Sequence, residues 1–394
     1  MRDTLVIEGG NRVEGTVRVS GAKNASLVII AASILAHGRT ELENVPKIKD
    51  VEVLLDILAH QGCSIEWTDD GILAIEVPDN IIPESPYELS KKLRASNLLL
   101  GSLLGRKREA RISMPGGCDI GSRPMDLHLK GLQTLGATVS LEHGYIEATA
   151  GKLQGGRVYL DFPSVGATEN IMMLASVTPG TTIIDNAAKE PEIVDLANFL
   201  SAMGARIRGA GTDLIKIEGT GKLKAVRYAV IPDRIEAGTY MAAATVTGGD
   251  ILLENVIPTH LLPIKAKLEE TGARITQNNG KIRVQGTGRI KAVDIKTLPY
   301  PGFPTDMQSQ MLAILTIAEG TSVIVENVFD NRFQVVDELK RMGAKIKVEG
   351  HTAVVEGVKE LHGARVKATD LRAGAALILA ALVARGQTVI ENAH

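Results

Sequence analysis

The segment from Met114 to Pro124, MPGGCDIGSRP, places a cysteine in a loop close to an arginine. Its glycines and prolines prevent a regular helix or central strand, so the Cys118 thiol is expected on a surface loop. Arg123 follows five residues later, and a nearby guanidinium favours the reactive thiolate over the thiol. The alternative is that Cys118 is an unreactive packing residue, which is the usual role of a single free cysteine. The loop alone leaves both interpretations open.

Basic side chains stand at the start of several apolar helices that the sequence predicts. The amides at a helix N-terminus prefer anions, and Lys or Arg at that position opposes the helix dipole. One interpretation is therefore a phosphate site formed by amides and side chains. The other is helix capping with solubility, which explains Ser, Thr and Asp well. The residues at these starts are Lys23–Asn24, Arg94, Ser164–Val165–Gly166, Asp233–Arg234, Thr305–Asp306 and Asp370–Arg372.

Asp306 is the carboxylate among these residues whose chemistry is of most interest. It lies in the segment YPGFPTDMQ, and in a phosphate-rich cleft it would accept the proton of a hydroxyl nucleophile. The alternative is a structural carboxylate near the helix cap. Cys63, next to Gly62, is predicted to be a core residue. Met172, Met173 and Met311 are predicted to pack rather than to contact a ligand.

The elements that position these residues recur along the chain. The first recurring signal is an Ala-rich apolar helix followed by a glycine, which is a typical left-handed cap. Helices that are apolar on nearly every face must be buried. The six copies are 24–37, 95–104, 167–179, 235–247, 306–319 and 371–385, followed by Gly38, Gly105, Gly180, Gly248, Gly320 and Gly386.

The second recurring signal is an amphipathic helix that ends in a glycine step and leads into a hairpin. The steps begin at Gly62, Gly136, Gly204, Gly272 and Gly343 and lie 68 to 74 residues apart. Turn pairs such as Asp70–Gly71 and Asn279–Gly280 mark the hairpins, and a short strand lies between the two helices. The unit therefore reads strand–helix–strand–helix–strand–strand, a repeat of about 70 residues.

The sixth repeat is predicted to be incomplete. There are six first helices but five second helices, and the sixth inter-helix strand, 388–392, lies two residues before the last residue, His394. By the spacing of the other repeats, about 30 residues of helix and hairpin are lacking, which would leave the neighbouring core partly uncapped. Truncation is one interpretation, and a natural variant end is the other.

Composition narrows the class of protein. The 394 residues carry 44 basic and 46 acidic side chains without a basic run, so nucleic acid is not expected as a partner. Two cysteines form no disulfide framework, and no metal-ligand spacing is present, so neither a metal nor a cofactor is predicted. The apolar runs are shorter than the roughly 20 residues that span a bilayer, and no signal segment begins the chain. These features predict a cytoplasmic protein without a membrane partner.

The loop from Pro115 to His128, PGGCDIGSRPMDLH, resembles the active-site loop of the UDP-N-acetylglucosamine 1-carboxyvinyltransferases. These are the enolpyruvyl transferases that open peptidoglycan synthesis. The shikimate-pathway enolpyruvyl transferases share their fold but have no such cysteine loop. The other segments similar to the family are Gly21–Ala25, Ser164–Thr168, Glu190–Asp195, Pro232–Glu236, Phe303–Gln308 and Thr369–Ala373.

The resemblance implies an α/β fold of two domains, each an inside-out α/β barrel of three repeats. One domain would comprise residues 1–22 and 230–394, with the incomplete repeat, and the other residues 23–229, with the cysteine loop. The active site would lie between them, with the first helices directed into the cleft. The oligomeric state is not specified, and a monomer is compatible with the sequence.

The reaction that the resemblance implies is enolpyruvyl transfer from phosphoenolpyruvate to the 3-hydroxyl of UDP-N-acetylglucosamine, through a tetrahedral intermediate, with release of phosphate. Cys118 would form an adduct with phosphoenolpyruvate and would be the target of fosfomycin. Lys23, Arg94 and Arg123 would hold the phosphate and carboxylate charge, and Asp306 would act on the hydroxyl. The residues implied in substrate binding are Lys23, Asn24, Arg94, Arg123, Pro124, Met125, Asp126, Leu127, Ser164, Val165, Asp306, Val328 and Arg372.

Several positions remain open. Asp126 and His128 would orient the substrate or serve only as first-turn residues, and Glu190 and Glu192 would line the cleft or be structural. Phe162–Pro163 stand where some family members place a lysine. The family also has an Asp-Arg-Gly-Tyr segment just beyond the position of His394. The competing hypotheses are therefore an active transferase, an inactive UDP-sugar-binding homologue and, less favoured, an enolpyruvyl transferase with another acceptor.

Overall fold

Alanine-rich, almost wholly apolar helices form the centre of two hydrophobic cores. In the computed structural model, which describes residues 4–114 and 125–393, most side chains of these helices are buried. The α-helices are α1 (Lys23–Ser33), α2 (Lys49–His60), α3 (Tyr87–Ser90), α4 (Leu99–Lys107), α5 (Asp126–Thr134), α6 (Val165–Val177), α7 (Pro191–Ala202), α8 (Arg234–Thr247), α9 (Leu262–Glu270), α10 (Gln308–Leu315), α11 (Val335–Arg341) and α12 (Leu371–Val383).

Short 3₁₀ helices at Arg94–Leu98, Pro258–Leu261 and Thr305–Met307 precede α4, α9 and α10. The strands are β1 (Thr4–Glu8), β2 (Glu14–Arg18), β3 (Ala36–Glu43), β4 (Ser64–Trp67), β5 (Leu73–Val77), β6 (Glu84–Ser85), β7 (Glu109–Ser113), β8 (Thr138–Glu142), β9 (Tyr145–Thr149), β10 (Arg157–Tyr159), β11 (Thr181–Asp185), β12 (Arg206–Arg208), β13 (Leu214–Glu218), β14 (Leu223–Lys224), β15 (Arg227–Ala229), β16 (Asp250–Glu254), β17 (Arg274–Asn278), β18 (Lys281–Gln285), β19 (Ile295–Lys296), β20 (Thr321–Val325), β21 (Lys345–Glu349), β22 (Thr352–Glu356), β23 (Arg365–Lys367) and β24 (Gln387–Glu391).

Each repeat contributes one small mixed sheet, which confirms the predicted α/β repeat architecture. In β10–β11–β13–β12, for example, the inter-helix strand β11 pairs in parallel with β10 and antiparallel with the hairpin strand β13. Equivalent orders recur in β6–β7–β9–β8 and β19–β20–β22–β21. Six such sheets are present in the described ranges, and there they remain separate rather than closing into one continuous barrel of strands.

The described residues divide into two compact units. One contains the residues up to Val19 and those from Pro232 onward, and the other extends from Ser20 to Ile231. Strands distant in sequence complete the repeats within each unit. In the first, β2 pairs in parallel with β16, and in the second β14 and β15 pair in parallel with β3.

The sheet of the sixth repeat includes a strand from the beginning of the chain. Strand β1 pairs antiparallel with β24, from Thr4 opposite Glu391 to Glu8 opposite Gln387, and β23 pairs with the other edge of β24. Strand β1 thus lies beside the inter-helix strand at the position that a hairpin strand, such as β13, occupies in the other repeats. The amide and carbonyl groups at this edge of β24 therefore find partners on a strand from the beginning of the chain. That a helix and a hairpin of the sixth repeat are lacking stays a prediction.

Several helix predictions also need correction. Helix α1 ends at Ser33 rather than at residue 37, and the predicted cap Gly38 lies within β3. Gly248 caps α8 in the left-handed conformation as predicted, but Gly105 lies inside α4, and Arg108, with a φ of 64°, caps that helix instead. A Cβ at Gly105 would lie 2.9 Å from side-chain atoms of Leu35 and Val177, so this glycine permits close packing. The helices predicted from 95 and 306 begin with the 3₁₀ turns at Arg94–Leu98 and Thr305–Met307.

Candidate active site

In the unit that contains Pro232 onward, Asp306 is held between two arginines. Its Oδ1 accepts a hydrogen bond of 2.7 Å from Nη2 of Arg332, and its Oδ2 accepts one of 2.7 Å from Nη2 of Arg372. The arginine side chains are 4% and 14% exposed, whereas the carboxylate is 23% exposed. The two guanidinium groups therefore fix the carboxylate while leaving part of it accessible.

Arg372 stays charged although it is buried. Burial by itself lowers the pKa of its guanidinium, but the nearby carboxylates of Asp306 and Asp233 outweigh that effect and leave the pKa raised. Asp370 caps α12 by accepting hydrogen bonds from the amides of Arg372 and Ala373 at 2.8 and 3.1 Å. The start of α12 thus presents a permanent positive charge beside Asp306.

Asp233 performs the same capping role at the start of α8. Its Oδ1 accepts hydrogen bonds from the amides of Ile235 and Glu236 at 2.7 and 3.0 Å. The guanidinium of Arg234 stands over the ring of Tyr300, 5.8 Å from its centre. The sequence-based capping interpretation is therefore correct for Asp233 and Asp370, whereas Asp306 is an ion-pair partner rather than a cap.

In the unit from Ser20 to Ile231, Lys23 opens α1 and its Nζ lies 3.1 Å from Oδ2 of Asp50. The lysine side chain is 22% exposed. Asn24 is half-buried beside it. A lysine in the first turn of a helix is unfavourable, because its charge lies next to the positive end of the helix dipole. The carboxylate of Asp50 on α2 offsets this unfavourable interaction.

A buried asparagine joins three segments that carry predicted binding residues. The side chain of Asn170 on α6 accepts a hydrogen bond of 2.7 Å from the amide of Gly101 and donates one of 3.1 Å to the carbonyl of Asn97. Its Nδ2 also lies 2.9 Å from Nδ1 of His128 on α5. Asn170 is fully buried. It therefore couples the segment of Arg94, the start of α5 and α6.

The start of α5 is anchored by its apolar residues. Met125 is buried, and its sulfur accepts a hydrogen bond of 3.4 Å from Nδ2 of Asn97. Leu127 packs against the core, while Asp126 points outward and is exposed. His128 is buried and hydrogen-bonded to Asn170. Its role, in orienting the substrate or only as a first-turn residue, stays a prediction.

Ser164 caps α6, since its Oγ accepts a hydrogen bond of 3.3 Å from the amide of Ala167. Val165, the first residue of α6, is half-buried. Thr168 donates to the carbonyl of Ser164 at 2.8 Å and accepts from the amide of Ala188 at 3.1 Å. The predicted residues Ser164 and Val165 are therefore fixed at the N-terminus of a buried helix.

Two buried carboxyl groups, Glu169 on this helix and Glu192 on α7, lie close to the half-buried Glu190. Glu169 and Glu192 are 4% and 7% exposed. Burial raises the pKa of Glu169 well above its usual range, and the charges of Glu192 and Glu190 raise it further. Burial and the neighbouring carboxylates therefore both favour the protonated form of Glu169.

Val328 and Asp306 are linked by a residue that sequence reasoning missed. Glu326 accepts hydrogen bonds from the amide of Val328 at 2.8 Å and from the hydroxyl of Thr305 at 2.9 Å. Arg332, the second arginine on Asp306, was also not predicted. Neither residue belongs to a motif that signals its partner, because both contacts join segments that meet only in the folded chain.

The predicted residues Cys118, Arg123 and Pro124 lie outside the described residues. Cys63 is buried, as predicted, and burial raises the pKa of its thiol to about 11. In the described ranges 4–114 and 125–393, no group of His, Cys, Asp or Glu residues is arranged to hold a metal ion. None of the helices in those ranges is both long and apolar enough to cross a membrane.

The chain matches a known family over almost its whole length. Residues 7–394 match the family described as EPSP synthase (3-phosphoshikimate 1-carboxyvinyltransferase). The chain belongs to this family. It is 58% identical over 394 residues to UDP-N-acetylglucosamine 1-carboxyvinyltransferase 1 of Caldanaerobacter subterraneus, covering 100% of this chain and 94% of that protein. A relative from Carboxydothermus hydrogenoformans, UDP-N-acetylglucosamine 1-carboxyvinyltransferase 2, is 54% identical, covering 99% of this chain and 93% of the relative.

Solved structures of the EPSP synthase family agree with the observed fold. The enolpyruvyl transferase NikO from Streptomyces tendae superimposes with a TM-score of 0.89 at 27% identity, covering 100% of this chain and 94% of NikO. An EPSP synthase from Acinetobacter baumannii gives a TM-score of 0.74 at 22% identity, covering 100% of this chain and 94% of the synthase, and supports the fold alone. The two-unit α/β repeat fold is thus that of the enolpyruvyl transferases.

Proposed function

We propose that this chain transfers the enolpyruvyl group of phosphoenolpyruvate to the 3-hydroxyl of UDP-N-acetylglucosamine and releases phosphate. The observation that carries the proposal is the 58% identity, over the full chain, to a protein named as the carboxyvinyltransferase of that acceptor. The same identity favours this acceptor over others used in the EPSP synthase family. It also favours an active transferase over an inactive sugar-nucleotide-binding homologue.

The proposed chemistry proceeds by addition and elimination. The 3-hydroxyl oxygen bonds to C2 of phosphoenolpyruvate while C3 gains a proton, which gives a tetrahedral intermediate. The C2–O bond to phosphate then breaks, C3 loses a proton, and the enol ether is formed. Asp306 would accept the hydroxyl proton, since its carboxylate is fixed by Arg332 and Arg372 and remains partly accessible.

The basic residues would hold the anionic groups of the two substrates. Lys23, Arg94 and Arg123 would pair with the phosphate and carboxylate charges that phosphoenolpyruvate carries, and Arg372 would contribute to substrate binding. Cys118 would react with phosphoenolpyruvate and with fosfomycin. The residues proposed to contact the UDP-sugar are Asn24, Arg123, Pro124, Met125, Asp126, Leu127, Ser164, Val165, Asp306 and Val328.

The biological setting follows from the reaction. It would supply enolpyruvyl-UDP-N-acetylglucosamine for peptidoglycan synthesis in the cytoplasm, where both small-molecule substrates are found. The sequence-based domain boundaries, 1–22 with 230–394 and 23–229, are part of this proposal. No cofactor is proposed.

The test is release of phosphate by the purified chain with phosphoenolpyruvate and UDP-N-acetylglucosamine, with shikimate 3-phosphate as an alternative acceptor. With phosphoenolpyruvate present, we expect turnover when UDP-N-acetylglucosamine is the acceptor and none with shikimate 3-phosphate. We expect Cys118→Ser to lose this turnover. Fosfomycin should add its mass to Cys118, faster when the UDP-sugar is present, and Cys63→Ser should not change this labelling. Turnover with shikimate 3-phosphate only, or binding of the UDP-sugar without any turnover, would contradict the proposal.

A further inference from the structure

In four of the repeats the inter-helix strand ends with an acidic residue, which forms an ion pair with a lysine or arginine on a neighbouring strand. These carboxylates are partly exposed, with side-chain exposures from 20% to 42%. In each case the next residue is an asparagine with a positive φ. The four pairs are Glu43 with Arg227, Asp185 with Arg157, Glu254 with Lys281 and Glu391 with Arg365.

The fifth repeat has the same acidic residue and asparagine, Glu326 and Asn327, but places them one residue later. The amide of Thr297 donates to the carbonyl of Val325 at 2.9 Å, as the amide of Leu160 donates to that of Asp185 at 3.1 Å. Val325 therefore takes the strand-end position that the exposed carboxylate takes elsewhere. Glu326 is turned inward and is only 1% exposed.

The buried carboxylate of Glu326 is surrounded by hydrogen-bond donors. Its Oε1 accepts from the hydroxyl of Thr297 at 2.8 Å and from the amides of Val328 and Phe329 at 2.8 and 3.1 Å. Its Oε2 accepts from the hydroxyl of Thr305 at 2.9 Å. Among the described residues Glu326 forms no ion pair, so these hydrogen bonds compensate for the burial of its carboxyl group.

These contacts connect the two positions proposed to meet the sugar nucleotide in this unit. Thr305 immediately precedes Asp306 in the 3₁₀ turn before α10, and Val328 begins the segment that leads to Arg332. The hydroxyl of Thr297 also accepts a hydrogen bond of 2.9 Å from the amide of Asn327, which ties the segment to β19. One carboxylate thus sets the spacing between the Asp306 turn and the Val328 segment.

We infer that Glu326 is a positioning residue for the transfer reaction, which acts through Thr305 on Asp306 and through the backbone on Val328. This inference rests on the proposed function. It assigns to Glu326 no contact with substrate. Its role is to hold the proton-accepting carboxylate in place, and a misplacement of about 1 Å at such a group can cost on the order of 100-fold in rate.

The first test distinguishes the contribution of the Thr305 hydroxyl to kcat from that of the shape of the side chain. Thr305→Val keeps the shape and removes the hydrogen bond to Glu326, whereas Thr305→Ser keeps the hydroxyl. We expect kcat to fall about tenfold in Thr305→Val, with UDP-N-acetylglucosamine still bound stoichiometrically in calorimetry, and most of the loss to be recovered in Thr305→Ser. In an Asp306→Asn background, Thr305→Val should lower kcat no further, because the group that it positions is already gone.

Variants of Glu326 provide a second, independent test. In Glu326→Gln the remaining oxygen can accept from Val328 and Phe329 while the amide donates to Thr305, so most of the kcat lost in Glu326→Ala should return. The matched control is Glu254→Gln, which removes the equivalent exposed carboxylate in the same unit and should leave kcat and both KM values unchanged. The melting temperature and binding stoichiometry of each variant report the folded fraction.

The outcomes separate this inference from the proposed function. If the unmodified chain turns over UDP-N-acetylglucosamine and Thr305→Val matches it in kcat, the positioning role is wrong while the proposed function stands. An additive loss in the Asp306→Asn background would also overturn it, since that pattern indicates a general structural defect. If the unmodified chain shows no turnover, the proposed function fails. In that case crystal structures of the Glu326→Gln and Glu326→Ala variants test the positioning role. If Asp306 and Val328 lie where they lie in the unmodified chain, the inference is overturned as well.

Discussion

The side-chain amide of Asn170 lies 2.9 Å from Nδ1 of His128, and its orientation determines the form of the imidazole. Because the amide of Gly101 donates to Oδ1 of Asn170, the amide nitrogen Nδ2 is the donor toward His128. Nδ1 must then accept, which assigns the proton of the neutral ring to Nε2. The contact therefore fixes both the position and the tautomer of a histidine at the start of α5.

We expect Asn170→Asp to destabilise the protein by about 2 to 4 kcal/mol, since a carboxylate oxygen would face the carbonyl of Asn97 and the lone pair of Nδ1. The free energy of unfolding, measured with urea, checks this. The exposed Asn80 in the same unit offers the control, and Asn80→Asp should change the free energy by less than about 0.5 kcal/mol. Equal effects of the two substitutions would show that the buried amide contributes nothing specific.

Removal of Asp306 leaves two buried guanidinium groups without their shared partner. Asp306→Ala should therefore lower the free energy of unfolding by about 3 kcal/mol. Inorganic phosphate should raise the melting temperature of this variant more than that of the unmodified chain, because an anion can replace the lost carboxylate. Asp250→Ala removes the partly exposed carboxylate that Arg283 contacts at 2.6 Å, and it should have a much smaller effect on the free energy and the same phosphate response as the unmodified chain. A phosphate response that is the same in all three proteins would contradict this prediction.

Two helical glycines should respond in opposite directions to alanine. Gly105→Ala should destabilise by about 1 to 3 kcal/mol, because the new methyl group would meet Leu35 and Val177 at 2.9 Å. At Gly374 in α12 the nearest atom to a new Cβ is that of Ala368, at an ordinary 3.5 Å. Gly374→Ala should stabilise by about 0.5 to 1 kcal/mol through helix propensity. Thermal unfolding of the pair decides whether close packing or propensity dominates at Gly105.

Stability should fall as the pH rises from 4 to 6 because of Asp195. Burial raises the pKa of this carboxyl from 3.8 to about 6, although hydrogen bonds from Tyr228 and the amide of Ile231 oppose the rise. The folded state therefore binds the proton more tightly than the unfolded state. The resulting stabilisation is complete below pH 3.8 and is lost as the pH rises through 6, by up to about 3 kcal/mol.

Asp195→Asn should remove this contribution. The difference in unfolding free energy between the unmodified chain and the variant should shift by about 3 kcal/mol in favour of the variant between pH 4 and pH 7. Urea titrations across that range measure it. Asp69→Asn, at an exposed position in the same unit, is the control and should follow the pH curve of the unmodified chain. A constant difference across the range would rule out the assigned cause.

The repeat could be predicted from sequence because its signals are local. Apolar helices, glycine steps and turn pairs are read from neighbouring residues, and so are the caps at Ser164, Asp233 and Asp370. What could not be predicted depends on tertiary contacts. Glu326–Asn327 and Glu254–Asn255 read alike in sequence, yet one carboxylate is buried and the other is paired at the surface.

The same distinction applies to the glycines and arginines. Gly105 follows an apolar run as a cap would, and only the positions of Leu35 and Val177 show that it is a packing residue. Arg332 lies in a loop without a motif, and its partner Asp306 is 26 residues away. Residues 115–124 carry the most specific sequence signal, and their roles remain predictions.

The pairing of β1 with β24 has a consequence for synthesis on the ribosome. The described residues of the unit from Ser20 to Ile231 all precede Pro232, so this unit can fold once its last residue has emerged. The other unit must keep β1 and β2 unpaired while more than 200 residues are translated, because β16 and β24 are made later. The N-terminal segment that contains β1 and β2 therefore stays unpaired during most of translation. The unit from Ser20 to Ile231 should become protease-resistant first.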